Sequence, residues 1–355
     1  MEAKKQNELC YDKVNDFSEG LAAVELNGKY GFINEEGDEV IKLEYDYADS
    51  FYGGRAFVEV DGFWGAIDKT GCRIVPPKYE EIDDYGFCNG LVAVCINYKW
   101  GFIDIYGNEI VSPIYDEVDQ FNDDGLAIVG LNRNIIMEYS SRGVKKYYET
   151  GIKYGVIEKI GEEIVEPKYD EIDGFYNGVA AVRLNDKWGL IDRNGNEITP
   201  IKYDIFDELY DWKEAIVAKI DDKYGLINLT GEEITPIKYD WIGEFSEGFV
   251  NVYENGKGGF VDTSTGKEVI PLIYGDTSDF RDGFAGVELN GKWGIFDNTG
   301  KKITPFLFDE ISAYKGNNRW IVYKDDSCGL LEIKLKKDVT PLAEDLWEWG
   351  FLKES

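Results

Sequence analysis

Lys187-Trp188-Gly189-Leu190-Ile191-Asp192-Arg193-Asn194-Gly195-Asn196-Glu197-Ile198-Thr199-Pro200 is the stretch whose reading decides the fold. In a strand, Trp188 and Leu190 point to one face and Gly189 and Ile191 to the other. Apolar residues on both faces require both faces to be covered. Gly189 lets a neighbouring strand or ring come close. Asn194-Gly195-Asn196 then turns the chain, since Asn and Gly tolerate positive φ. A third strand follows and is expected to end at the proline, which has no N–H to give a ladder. Upstream, the same unit opens with a strand and a hairpin signal, as in Leu21–Leu26 followed by Asn27-Gly28. A short fourth strand, or an extended loop, fits the Tyr-Asp-x-Ile segment after the proline.

The pattern recurs. Aromatic-Gly pairs stand at Tyr30, Trp64, Trp100, Tyr154, Trp188, Tyr224 and Trp293, and degenerate pairs at Gly258 and Cys328. Seven of the eight steps between them are 34 to 36 residues, and one is longer by about 19. A second glycine keeps phase six residues on, as at Gly107 and Gly195. A Tyr-acid pair such as Tyr169-Asp170 follows the proline. Next come an aromatic, a turn and an apolar run, as in Phe280-Arg-Asp-Gly283-Phe-Ala-Gly-Val. A 35-residue unit is too small to fold alone. Adjacent copies must therefore cover one another, with the ring beside each glycine filling the seam. Both ends depart from the pattern, as caps should: Leu43 replaces the proline in the first unit, and the last has Cys328 for the ring and a tail with Trp347 and Trp349.

The phased residues resemble the WG-containing, or KWG, repeat family. Lys99-Trp-Gly-Phe-Ile-Asp104, Lys187-Trp-Gly-Leu-Ile-Asp192 and Lys292-Trp-Gly-Ile-Phe-Asp297 carry the resemblance, which spans roughly residues 10 to 345. It implies all-β repeats serving as an interaction scaffold, and it brings no catalytic residues with it.

Composition narrows the function. Sixty-nine acidic residues against 38 basic ones give a net charge of −31. Such a surface repels nucleic-acid phosphates and anionic membranes, and it suits a basic partner. No histidine is present, which excludes Ser-His-Asp and Cys-His catalysis. The five cysteines, Cys10, Cys72, Cys88, Cys95 and Cys328, have no CxxC spacing. They read as free thiols of a reducing compartment. No apolar run reaches signal-peptide or membrane-span length, so a cytoplasmic location is expected. No cofactor is expected.

Three features invite a site. The Ile-Asp-x-x-Gly-x-Glu segments look like calcium loops but lack the full ligand series, so a turn with Asp bonding its own backbone is preferred. The Tyr-acid pairs recur in nearly every unit, which favours buried scaffolding over binding. The insertion at about 132–150 is net basic within an acidic chain, and its Arg133, Tyr139, Arg142, Lys145, Lys146, Tyr147 and Tyr148 are candidate partner-binding residues.

The expected fold is a single array over residues 1–355. About nine stacked antiparallel β-meander units of about 35 residues form an open solenoid or superhelix, with a closed, propeller-like array as the alternative. The expected function is a non-enzymatic scaffold that binds a protein partner. A carbohydrate or cell-wall binding module is the alternative, and a two-carboxylate glycoside hydrolase a remote one.

Overall fold

In the computed structural model, the described residues are 11–83, 86–131, 134–139, 145–206, 215–314, 316, 318–325, 327–335 and 347–351. They are all-β, with no helix among them, and form small antiparallel sheets of which none closes on itself. The third copy shows the plan. A short leading strand, Glu81–Ile82, precedes Leu91–Ile96, Lys99–Asp104 and Glu109–Tyr115, and the four lie in that order across the sheet. The short strand expected after the Tyr-acid pair is thus real, and it pairs with the first strand of the following copy. The hairpin turn Asn97-Tyr98 has both residues at positive φ, the twist that two-residue hairpins favour.

The prolines do not end the third strand. Pro113 lies inside Glu109–Tyr115, where the register jumps: Phe102 faces Val111 while Trp100 faces Tyr115. This strand is a sheet edge and the jump is a bulge, the two settings in which a missing N–H is harmless. In copies five, six and eight a threonine precedes the proline, and isolated bridges such as Trp188 to Tyr203 replace the regular strand. There the buried hydroxyls of Thr199, Thr235 and Thr304 accept the N–H groups of Leu190, Leu226 and Ile295, each at 2.9 Å.

The chain divides into two compact units, Met1–Gly178 with Arg193–Gly195, and Val179–Asp192 with Asn196–Ser355. Within each, the larger hydrophobic clusters among the described residues lie between two consecutive copies, while Ala22, Val24 and Ile33 cluster within the first. In the first unit, Phe102, Val111 and Tyr115 of the third copy pack with Phe121, Ala127, Val129 and Ile157 of the fourth. Ile103, one residue beyond Phe102, packs the opposite way, with Ala66, Val75 and Tyr79 of the second copy. In the second unit, Phe260 faces the eighth copy while its neighbour Val261 faces the sixth. The two-residue period of the strand is therefore what distributes side chains between seams.

The ring at the end of the third segment is deeply buried, a tyrosine in the first seven copies, the last of them followed by Gly275, and Phe308 in the eighth. Tyr45, Tyr79, Tyr115, Tyr169, Tyr203, Tyr239 and Tyr274 are all buried. The ring beside the glycine lies further out: Trp64, Trp100, Trp188 and Trp293 are half-buried at the rim and pack against the following copy. The glycine beside it serves its own sheet, because a Cβ on Gly65 would lie 2.5 Å from the Val75 carbonyl oxygen at the bulge.

The rim position obeys a rule that reaches the two degenerate copies. The residue directly across the hairpin from it completes a cross-strand pair, and each of the nine pairs holds a single aromatic. Glu25–Tyr30, Glu59–Trp64, Cys95–Trp100, Gly130–Tyr154, Arg183–Trp188, Lys219–Tyr224 and Glu288–Trp293 carry it on the second strand. Tyr253–Gly258 and Tyr323–Cys328 carry it on the first. The ring of Tyr253 leans over Gly258, so the space over the rim is filled from either strand. Trp293→Gly should therefore cost about 3 kcal/mol or more. Adding Glu288→Trp should recover most of that loss in urea melts, and no recovery would show that the side of the hairpin matters.

Candidate functional site

The charged residues of each copy sort into those that build the array and those left over. Lysine at the start of the second strand pairs with the acid after the buried ring: Lys29 with Asp46 at 2.5 Å, Lys99 with Asp116 at 2.6 Å, and likewise Lys153 with Asp170, Lys187 with Asp204, Lys223 with Asp240 and, after Phe308 in place of tyrosine, Lys292 with Asp309. The second carboxylate oxygen reaches the next copy. Asp46 accepts the Asp61 N–H at 2.7 Å, Asp204 that of Asp221 at 2.8 Å and Asp309 that of Asp325 at 2.9 Å. The Tyr-acid pairs are thus clamps between copies.

The turn aspartates are equally committed. Asp104 accepts the N–H groups of Tyr106 and Asn108, both at 2.8 Å, and Asp297 those of Thr299 and Lys301 at 3.0 Å. These are Asx turns, as expected. Among the described residues no group of three or more Cys, Asp or Glu is placed to hold a metal. Cys72, Cys88, Cys95 and Cys328 are free thiols, of which only Cys95 is buried.

What remains is a lateral row at the hairpin end of each sheet, running from the leading strand through the first strand to the rim ring. In the fourth copy Glu117 of the leading strand accepts the Tyr154 hydroxyl at 2.7 Å. Asp119, two residues beyond Glu117, and Glu171 bear on the same hydroxyl through their charges, Asp173 follows two residues beyond Glu171, and Gln120 donates to Asp83 at 2.9 Å. Loss of hydration, then the charges of Glu117 and Glu171, hold Asp119 and Asp173 above the usual carboxylate range.

The two acid populations oppose one another in pH. The lysine beside each of Asp46, Asp204, Asp240 and Asp309 holds its carboxyl low. Those pairs stabilise above the unfolded value of about 4 and fail as pH falls through the depressed folded values. Asp119 and Asp173 have raised values, so their contribution is present below about pH 4 and is lost as pH rises through the folded values. Thermal stability should therefore decline as pH rises from about 4 through the folded values of Asp119 and Asp173, and should collapse as pH falls below about 4 through those of the paired aspartates. Asp173→Asn should flatten the acid-side gain in melting curves. A gain unchanged by that substitution would assign it to bulk charge.

The insertion forms its own two-stranded hairpin, Asn134–Tyr139 with Lys145–Thr150, between the first and second strands of the fourth copy. Among the residues singled out from the sequence, Arg133 and Arg142 lie outside the described residues. Tyr139, Lys145, Lys146, Tyr147 and Tyr148 occupy strand positions, with Tyr139 paired to Lys145, and their side chains lie outside the description.

The description WG containing repeat fits nine consecutive segments of the chain: residues 11–30, 30–62, 64–100, 100–134, 154–188, 188–223, 224–257, 259–293 and 293–327. No curated protein sequence matches it. Among solved structures, Kluyveromyces lactis Hsv2 is 9% identical, with 74% of this chain and 94% of that one covered and a TM-score of 0.27. A eukaryotic initiation factor is 10% identical over 80% and 84%, with a TM-score of 0.32. The extracellular domain of the hybrid two component system BT3049 from B. thetaiotaomicron is 8% identical over 97% and 57%, with a TM-score of 0.23. Likenesses this slight carry nothing over to this chain.

Proposed function

The chain belongs to the WG containing repeat family, and from that footing we propose that it is a non-enzymatic scaffold binding a basic protein partner through the row at the hairpin ends of its copies. One observation carries the reading: the interior position held by Asn251 in the seventh copy is apolar or glycine in the other eight, while the rim row changes from copy to copy. Opposite the ring stand Glu25, Glu59, Cys95, Gly130, Arg183, Lys219 and Glu288 in successive cases. Uniform seams with a varied rim are what a scaffold that discriminates partners needs. The net charge of −31 selects for a cationic partner. The insertion, net basic in sequence, lies between the first and second strands of the fourth copy, and free thiols suit a reducing, cytoplasmic setting.

The test is affinity capture at low and high salt with wild type and a Glu81→Lys/Glu117→Lys/Glu171→Lys variant, compared at a temperature below the melting of both. A basic protein held by wild type, released by salt and lost by the variant is the expected result. Identical partner sets for both proteins would contradict it. Exposed Tyr52, Tyr98 and Tyr106 favour carbohydrate as a second reading, and silence on a glycan array removes that reading.

A further inference from the structure

One clamp of the array lacks its lysine. In six copies the acid after the buried ring holds the lysine that opens the second strand. The second copy keeps the acid, Glu80, but has Phe63 in the lysine's place. The register is the same: Trp64 pairs with Tyr79 as Tyr30 pairs with Tyr45, so Phe63 stands across from Glu80 as Lys29 stands across from Asp46. Glu80 Oε2 accepts the Tyr98 N–H of the next copy at 3.3 Å, and among the described residues no lysine or arginine pairs with this carboxylate. The clamps are open to solvent, since the side chains of Lys29 and Asp46 are 46% and 36% exposed, and Glu80 is likewise only half-buried.

The two aromatic residues at Glu80 both break the repeat's rules. Phe63 is 43% exposed where an ion pair would otherwise lie. Tyr98 is 83% exposed and is the second residue of its hairpin turn, with a φ of +60°. The same turn position holds Gly28, Gly62, Asp186, Asp222, Gly256 and Gly291, residue types that accept a left-handed backbone. A tyrosine does not accept it readily. The second and third copies therefore place two large rings in water, one of them on a disfavoured backbone, and neither ring adds to a seam.

What the position lacks is a cation, and the six complete clamps show which kind: an ammonium on a carboxylate oxygen. Exposed aromatic faces attract the same group and cover the apolar stem that carries it. The chain's net charge of −31 draws such a group in. We propose that Glu80, with Phe63 and Tyr98 beside it, is a receptor for a lysine side chain of a partner protein. The partner's ammonium pairs with Glu80 Oε1 while Oε2 keeps the Tyr98 N–H, and its stem lies along the exposed rings. The incoming residue thus completes the clamp that the second copy leaves unfinished. This rests on the reading that the partner is basic, and it names the side chain that is read and the place that reads it.

The Tyr98 amide, bonded to Glu80, reports on the site directly. The full-length chain is labelled at its tyrosine nitrogens, and the Tyr98 resonance is assigned through its loss in Tyr98→Gly. Titration with acetyl-Gly-Lys-Gly-amide should move that resonance saturably and less tightly as salt rises. Acetyl-Gly-norleucine-Gly-amide, which has the stem without the charge, should leave it in place. Phe63→Lys installs the residue of six other copies, and its own ammonium takes Glu80, so the lysine peptide should bind about 5-fold more weakly. Glu80→Gln should weaken it to a similar degree. A Tyr98 resonance that stays still, equal movement with the norleucine peptide, or undiminished affinity in Phe63→Lys would overturn the proposal. Because the peptide is supplied, these outcomes stand apart from the capture experiment. A basic partner that is captured while the Tyr98 amide stays silent sinks the receptor and leaves the scaffold reading intact.

Discussion

Phe102→Ala is expected to lower stability by about 3–5 kcal/mol, the usual cost of emptying a buried phenylalanine site. Phe102 is 2% exposed and its ring meets Phe121 of the next copy at 4.7 Å. The cavity would open between two sheets, neither of which has another core on that side. Tyr115, beside it, reaches across the same seam to Glu163 at 3.0 Å, so both copies lose their fixed spacing together. Urea melts of the variant measure the loss. A cost below about 1 kcal/mol, the level of a surface change, would mean that the seam is not what holds these copies.

Gly65→Ala should be nearly as damaging, by about 3 kcal/mol, at the upper end for an overpacked site. The added Cβ would lie 2.5 Å from the Val75 carbonyl oxygen and 2.8 Å from the Pro77 nitrogen. Both are backbone atoms of a bulge held by prolines, so neither can move aside by a rotamer change. Gly62→Ala is the matched control. Gly62 has a φ of +81° with nothing within 4 Å, so the substitution costs only the left-handed backbone, about 1 kcal/mol. Equal melting of the two variants would show that close approach at the bulge is not the reason for the glycine.

Much of this was legible in the residues, and what was missed has physical reasons. The alternation in Trp188–Asp192 correctly demanded cover on both faces, and Leu190 and Ile191 are both fully buried. Reading down the column of aromatic-Gly pairs, however, made Gly258 and Cys328 look like losses. A column cannot show that a hairpin brings Tyr253 opposite Gly258 and Tyr323 opposite Cys328, five residues upstream in each case. The same reading had the ring beside each glycine fill the seam, and Trp64, Trp100, Trp188 and Trp293 do pack there, half-buried, while the rings of Tyr79, Tyr115, Tyr203 and Phe308 lie deeper. Prolines were read as strand ends because a bulge at an edge leaves no mark in a single sequence. Asn251 did leave a mark, a polar residue within Phe249-Val250-Asn251-Val252. That Gly243 and Trp241 stand against it shows only once the strands are in register.

Amide hydrogen exchange on the Phe102→Ala variant asks most directly whether one sheet is held up by the next. Protection should fall in Leu91–Ile96 and, to a similar degree, in Leu126–Leu131 and Lys153–Glu158 of the following copy. Protection lost in the third copy alone, with the fourth unchanged, would contradict the account.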